Sequence, residues 1–426
     1  MRHRDSIWLV RVFSKDRTPM RIAVFVENAL HSGGAFQQTL SMVQTLQSLP
    51  GHDVVVLTPI AENIDHLRER KIEAHLYADG AWTRFCDTIG GLMPRSERVL
   101  RLIRRLGLKR LGQNLDIRLD GLGIDIAFFN ARSATPIRLS RHSYMFTVWD
   151  LCHRDHPEFP EVFANREFER REQILKAVLP KAVAVIADSE IGADKIASWY
   201  AVDRARVHVI PFLPSASVRT YARGESTSSP QAVREKYGLP NDYIFYPAQM
   251  WAHKNHVYLL EGIAELKSRY GLTIGAALSG GDKGNKDYLR ACAQKLGIAD
   301  QVFFLGFVDD DEIPALYDGA KALVMPSYFG PTNLPPVEAA LLGCPVIYAD
   351  QPAFRAQMGD AALYCDLTAP PSLAEHLRTV IEDASKVRRL KAAGHTLAET
   401  LRDDTTPQKL KGIFDAYDLK RRRWKN

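Results

Sequence analysis

The chain has 426 residues, of which 46% are apolar and 25% charged. That length supports two domains of about 150–200 residues each, and the balance excludes a low-complexity or disordered chain. No apolar run reaches the roughly 18 residues that a bilayer-spanning helix needs, and the five dispersed cysteines show neither disulfide-framework nor metal-ligand spacing. The net charge of +6 is uneven, with basic clusters at 95–110 and in the terminal "LKRRRWKN".

Residues 1–19 are read as a disordered leader or a misassigned start. Their apolar stretch is short and broken by Arg11, a poor secretory signal. Met20 opens the first clean strand. Strand-like runs then recur at 21–27, 53–59, 72–77, 124–130, 144–150, 183–188 and 206–212, alternating with helix-length segments. That alternation predicts parallel α/β construction. After the first strand, Gly33 and Gly34 open a helix with Phe36, Leu40, Val43 and Leu46 on one face. Two glycines at a helix start permit close approach by a sugar or phosphate. Residues 94–111 form a basic amphipathic helix. The plain reading is a packed helix with a solvated face; the functional one is docking on an anionic membrane surface.

At the end of the fifth strand, Asp150, His153, Asp155 and His156 cluster within seven residues. Asp150 or His153 is placed to orient or deprotonate a hydroxyl. A zinc reading of His153 and His156 is weaker, since no further ligands stand at metal spacing. Ser189, in "ADSE", reads first as a helix N-cap.

A polar, Ser-rich stretch marks the domain boundary. The division is 20–213 for the first domain, 214–235 for a linker, 236–404 for the second domain, and 405–426 for a terminal helix and basic tail. Second-half strands are expected at 243–248, 272–279, 301–307, 321–326, 345–349 and 361–365. Lys254 lies in the loop "AQMWAHKNH" before an amphipathic helix, a poor place for a cation unless it meets an anion. Gly280, in "LSGGDKG", offers a backbone that a nucleotide could approach. The acidic triplet Asp309–Asp311 reads as helix capping and not as a metal site. The most informative string is "YFGPTNLPPVEAALLGCPVIYAD", 328–350. It reads as a Gly-Pro loop, a helix begun by Pro335 and Pro336, and a buried strand. A loop feeding a helix N-terminus is a seat for a diphosphate. Glu338, early in that helix, is placed to accept bonds from sugar hydroxyls.

This string resembles the donor signature of retaining glycosyltransferases of the GT-B class, family four (glycosyl transferases group 1). It is nearest a sub-branch with "FGPTN-PP-EA" in the same place. Family members carry two glutamates separated by seven residues. Glu338 matches the second, and Gly330 stands where the first would be. Lys254 matches a diphosphate-binding lysine, and Gln249 stands at the arginine five residues earlier. His253, Asn255 and Gln249 are the replacement donors to consider. The resemblance implies a GT-B fold, with two doubly wound Rossmann-like domains facing across a cleft and a last helix crossing back to the first domain.

The resemblance also implies an activity. A hexose, mannose-like or deoxyhexose, would pass with retention from a nucleoside-diphosphate sugar to a hydroxyl of a glycan or lipid-linked glycan, in surface polysaccharide synthesis. Lys254 and the helix start at Leu334 would stabilise the leaving diphosphate. Glu338 would hold the ribose, and Thr332 and Asn333 would touch the donor beside Gly330. No metal or other cofactor is expected, and no nucleic-acid module is recognisable. The expected location is the cytoplasm, or the inner face of the plasma membrane. Two rivals are a nucleotide-sugar-binding protein of weak or no activity and a GT-B sugar-nucleotide epimerase.

Overall fold

The computed structural model describes residues 19–29, 34–77, 114–226, 228–330, 332–402 and 405–423. Gly33, the basic segment 94–111 and the leader 1–18 lie outside them.

The described residues form two parallel sheets. The first has strands β1 (Met20–Phe25), β2 (His52–Thr58), β3 (Ala74–Leu76), β4 (Ile126–Phe129), β5 (Ser143–Val148), β6 (Ala184–Ala187) and β7 (Val207–Val209), in the order 3-2-1-4-5-6-7. The second has β8 (Tyr243–Pro247), β9 (Gly275–Ser279), β10 (Val302–Gly306), β11 (Ala322–Met325), β12 (Val346–Ala349) and β13 (Ala362–Cys365), in the order 10-9-8-11-12-13. Each expected strand falls on an observed one.

The strands are apolar because helices cover both faces of each sheet. Along β1, Ala23 and Phe25 enter one core cluster while Met20, Ile22 and Val24 enter the opposite one. That is the period-two alternation of a strand between two layers. Strand order reverses direction between β1 and β4, and again between β8 and β11. In doubly wound sheets the crevice beyond the strand ends at such a switch point is where ligands bind.

Two features set how the domains are joined. The segment 214–235 is not a bare polar linker. It carries helices Ala216–Ala222 and Pro230–Lys236, which pack on the second domain: Val233 joins its core and the Tyr221 hydroxyl donates to Asp318 at 2.8 Å. Serine-rich composition hid these short helices, whose N-caps are those same serines, Ser215 and Ser229. The true crossing is the short run 210–215. The last helix, Thr406–Arg421, returns to the first domain. There Leu410 and Phe414 are fully buried in the first core, and Arg421 Nη1 donates to Asp125 Oδ1 at 2.7 Å. Among the described residues no helix is long and apolar enough to cross a membrane.

Candidate active site

The loops after β8 and β11 flank the second switch point, and they carry Lys254 and the 328–333 string. They are tied together. The Tyr246 hydroxyl donates to Lys254 O at 2.8 Å, the Ser327 hydroxyl lies 2.9 Å from it, and Tyr328 N–H donates to His253 O at 2.9 Å. Gly280 makes this possible from the β9 side. Its φ is +133°, and a Cβ there would lie 2.6 Å from Ala248 O and 2.8 Å from Gln249 N. The glycine lets two loops cross at backbone contact. Gln249 accepts from Trp251 Nε1 at 2.9 Å with its carbonyl, which leaves its NH2 group to donate elsewhere.

Gly330 has φ +122°, and a Cβ would sit 2.7 Å from Asn333 Oδ1. A glutamate in this loop conformation would be strained and would crowd Asn333, which is consistent with the glycine found here. Asn333 is clamped: its Nδ2 donates to Gly330 O at 3.1 Å and to Tyr348 Oη at 2.6 Å, while Gln357 Nε2 donates to Asn333 O at 2.8 Å. Its side chain shapes the loop and is not turned out as a ligand contact. The helix Leu334–Leu341 then begins with Pro335 and Pro336. Two of its first-turn N–H groups are thus absent. That leaves the Leu334 amide and the helix dipole as what this helix start could offer an anion, a narrower cradle than a helix start normally provides.

Glu338 is buried. Its Oε1 accepts from Ser215 N at 2.9 Å and its Oε2 from the Tyr317 hydroxyl at 3.2 Å. Burial raises its pKa, and the bonds from Ser215 and Tyr317 oppose that rise. A carboxylate offers about four acceptor directions, so both oxygens keep capacity for a further donor.

Lys254 is the informative group. It follows the turn Ala252–Lys254 and precedes left-handed Asn255, whose φ is +54°. No carboxylate of the described residues lies within ion-pair distance of its ammonium. Burial lowers its pKa to about 8, opposed by the carboxylates of Asp150 and Glu161 across the gap. Asn255 Nδ2 is buried beside it without a partner among the described residues. A cation and an amide donor thus stand in a dry site unmatched by any anion.

The first domain meets these groups directly. Glu161 accepts from the His253 backbone N–H at 2.9 Å and from its ring Nδ1. Burial lowers the His253 pKa, although the bond to Glu161 opposes it. The ring stacks on Phe329 at 4.0 Å and 10°, and His156 and Phe159 complete an aromatic cluster across the gap. The Thr332 hydroxyl donates to Asp188 Oδ2. Asp188 is buried, and burial raises its pKa to about 6.

The sequence candidates on this side separate. Asp150 stays near the gap. It accepts from Arg171 Nη1 at 3.0 Å and from Cys152 N at 3.1 Å; burial alone would raise its pKa, but Arg171, the bonds from Cys152 and the charge of Arg132 together hold it below the usual value. His153 has no exposed surface. Its Nε2 lies 3.0 Å from Glu172 Oε1 and 3.3 Å from the Tyr200 hydroxyl, in the first-domain core. It is therefore out of reach of an acceptor hydroxyl, and the acid–base role expected for it is corrected. The helix Cys152–Asp155 turns its ring inward. Ser189 does cap its helix, accepting from Gly192 N at 3.1 Å. Gly34 opens the helix Gly34–Gln47. Glu161 was missed by the sequence reading; its only signal is an acid one residue after Pro160, which looks like ordinary helix pre-charging. Among the described residues no group of three His, Cys, Asp or Glu side chains is arranged to hold a metal. A groove of about 580 Å³ runs along edge strand β10, lined by Lys236, Arg290 and Phe303, away from the switch point.

Residues 231–396 match the family described as Glycosyl transferases group 1. The serotype-specific mannosyltransferase WbdA of Escherichia coli is 27% identical over 256 residues, covering 57% of this chain and 29% of that protein. The O-antigen chain mannosyltransferase RfbU of Salmonella typhimurium is 27% identical over 209 residues, covering 48% of this chain and 52% of that protein. The chain therefore spans less than two thirds of either relative. In fold, the chain is similar to HepE of Anabaena in complex with UDP and glucose, with a TM-score of 0.68 at 18% identity over 93% of this chain and 100% of that one. It is also similar to WaaG, a glycosyltransferase involved in lipopolysaccharide biosynthesis, with a TM-score of 0.67 at 16% identity over 92% and 99%. The chain thus has the two-domain GT-B fold, and its residues 231–396 match the Glycosyl transferases group 1 model.

Proposed function

We propose that this chain transfers a hexose from a nucleoside-diphosphate sugar to a hydroxyl of a glycan or lipid-linked glycan, in surface polysaccharide synthesis. The observation that carries the reading is Lys254: a half-buried ammonium with no ion-pair partner among the described residues, between the two loops of a switch point. The mannosyltransferase names of WbdA and RfbU support a mannose-like donor, with a deoxyhexose as the related choice. The UDP in HepE supports a nucleoside diphosphate as the carrier.

In this mechanism the diphosphate lies against Lys254, the Leu334 amide and Asn255 Nδ2. As the glycosidic bond to the phosphate breaks, charge grows on the leaving oxygen. These groups meet it without reorganising, in a dry site where each interaction is strengthened. Glu338 takes the ribose hydroxyls. The donor sugar sits by Thr332 in the space beside Gly330, where a glutamate would be strained. Asp150 or Asp188 orients the acceptor hydroxyl from the first domain, and the leaving phosphate takes its proton. That geometry delivers the acceptor to the face the phosphate leaves and retains configuration. No metal is required, because Lys254 and the helix dipole neutralise the diphosphate. The membrane-peripheral location expected from the basic segments belongs to the same reading.

A thermal-shift screen across nucleoside diphosphates and their sugars tests it. Stabilisation by one base, lost in Lys254→Met, is expected. Incubating that donor sugar with glycan acceptors and following the new anomeric proton by NMR, with and without EDTA, checks transfer, retention and metal independence. If no nucleotide stabilises the protein, the proposal fails. The missing carboxylate at Gly330 favours one second reading, a binding protein without transfer. Tight donor binding with no product from any acceptor extract would select it.

A further inference from the structure

The crossing between the domains is held from both sides by hydrogen bonds two residues apart, one partly and one fully buried. From the first domain, Gln38 Nε2 donates to Leu213 O at 2.8 Å. From the second, Glu338 Oε1 accepts from Ser215 N at 2.9 Å. Ser215 and Glu338 are each 7% exposed, so water does not substitute readily for their bond; Gln38 is 8% exposed and its acceptor Leu213 is half-buried. Gln38 stands in the second turn of Gly34–Gln47, the helix that follows β1 at the carboxyl edge of the first sheet. Ser215 also starts the next element, since its Oγ accepts from Val218 N to cap the helix Ala216–Ala222 on the second domain. A chain that must bend between two rigid sheets has its bend angle set by few backbone torsions. Here the polar groups on either side of that bend are each claimed by a different domain.

We propose that Gln38, the crossing Leu213–Ser215 and Glu338 form a single clasp, and that Gln38 is a positioning residue for sugar transfer although it touches neither substrate. This rests on the proposed function only in giving Glu338 a ribose to hold. The carboxylate that would grip the nucleotide is the one that grips the crossing, so donor and crossing are held by one rigid group. Gln38 locks the other end to the acceptor-side helix. Its loss lets the first domain swing relative to a bound donor while the donor pocket stays whole. Misplacing reacting groups by about 1 Å can cost on the order of a hundredfold in rate.

Two measurements on the full chain test this. In hydrogen–deuterium exchange, Gln38→Leu and Gln38→Glu, which keep the volume but remove the donor, are expected to speed exchange at 213–222 and also at 334–341 in the other domain. Gln38→Lys, which restores a donor, is expected to return both segments toward wild type. In steady-state assays the same two variants are expected to lower kcat about tenfold or more, with Kd for the nucleoside diphosphate within about twofold of wild type. Faster exchange confined to 34–47, or a fall in kcat accompanied by a rise in Kd and a loss of thermal stability, overturns the clasp and leaves Gln38 a plain packing residue. A wild-type protein that binds no nucleoside diphosphate instead overturns the proposed function. The exchange measurement still judges the clasp in that case.

Discussion

Replacing Lys254 by Met tests the electrostatic centre of the site. Burial takes this ammonium from 10.5 to about 8, against the pull of the Asp150 and Glu161 carboxylates. At about 1.36 kcal/mol per pKa unit, the charged form costs the folded chain on the order of 3 kcal/mol. Between pH 8 and 10.5 the unfolded chain binds the proton that the folded chain has released. The penalty is therefore fully present below pH 8 and is relieved as pH rises through that window. Methionine keeps the stem and drops the charge. At pH 7 the ligand-free variant is expected to be more stable than wild type by about 1–3 kcal/mol. Ligand binding moves the other way. A charge-assisted bond to phosphate contributes about 1.5–3 kcal/mol, so Kd for the nucleoside diphosphate should rise roughly 10- to 150-fold at pH 7. A bound anion also restores the ammonium's proton affinity, so wild-type binding takes up a proton above pH 8 and weakens by up to about tenfold per pH unit there. The variant has no such dependence. Calorimetric titration at pH 7, 8.5 and 9.5, in two buffers of different ionisation enthalpy, measures both Kd and proton uptake. Equal pH dependence in the two proteins, or a variant less stable than wild type at pH 7, refutes the reasoning.

Gly330→Glu restores the glutamate common in the family but forces a side chain to φ +122° against Asn333. It should lose about 1–3 kcal/mol in denaturant titration and weaken donor binding, with no gain in turnover. Gly280→Ala places a Cβ within 2.6 Å of Ala248 O. A loss of about 3 kcal/mol or more and a displaced Gln249 loop should appear as a lower urea midpoint and weaker nucleotide binding. Asp188, raised by burial from 3.8 to about 6, keeps in the folded chain a proton that the unfolded chain releases. Its penalty grows as pH rises from 4 to 6 and is complete above that. Asp188→Asn should therefore be more stable than wild type by about 1–3 kcal/mol at pH 7 and equal to it near pH 4, as urea midpoints at pH 4, 5 and 7 will show.

The strands were legible because a sheet covered on both faces writes itself as short β-branched runs. The switch-point loops were legible because Gly, Pro and Lys stand where local physics alone would not put them. Three things were not. The helices Ala216–Ala222 and Pro230–Lys236 are too short for periodicity to register, and the serines that cap them read as linker. His153 looked like a loop group because four titratable residues lie together in sequence. Its orientation depends on Glu172 and Tyr200, 19 and 47 residues away, and no local pattern reports that. Glu161 acts only through His253, 92 residues on and in the other domain. The two prolines after Leu334 were read as helix starters, which they are. Their missing N–H groups, and hence the narrower anion seat, follow only when each donor is counted.

Within the proposed function, the charge layout argues for which side of the cleft takes the donor. The second domain presents Lys254, the Leu334 amide and Asn255 Nδ2, all donors. The first presents Asp150, Asp188 and Glu161, all acceptors; Glu161 is already spent on His253, and Asp188 accepts from Thr332. A diphosphate brought against the carboxylates would be repelled, which in the proposed reading puts it on the Lys254 side. A neutral hydroxyl has the opposite preference, since a carboxylate can accept its proton in a hydrogen bond and a bare ammonium cannot. The sugar between them is then attached to a group held by donors and approached by a group held by acceptors. That polarity tells donor from acceptor without base-specific contacts. It also gives Thr332 two partners to choose between: Asp188 when the domains touch directly, and the donor sugar when one lies in the gap.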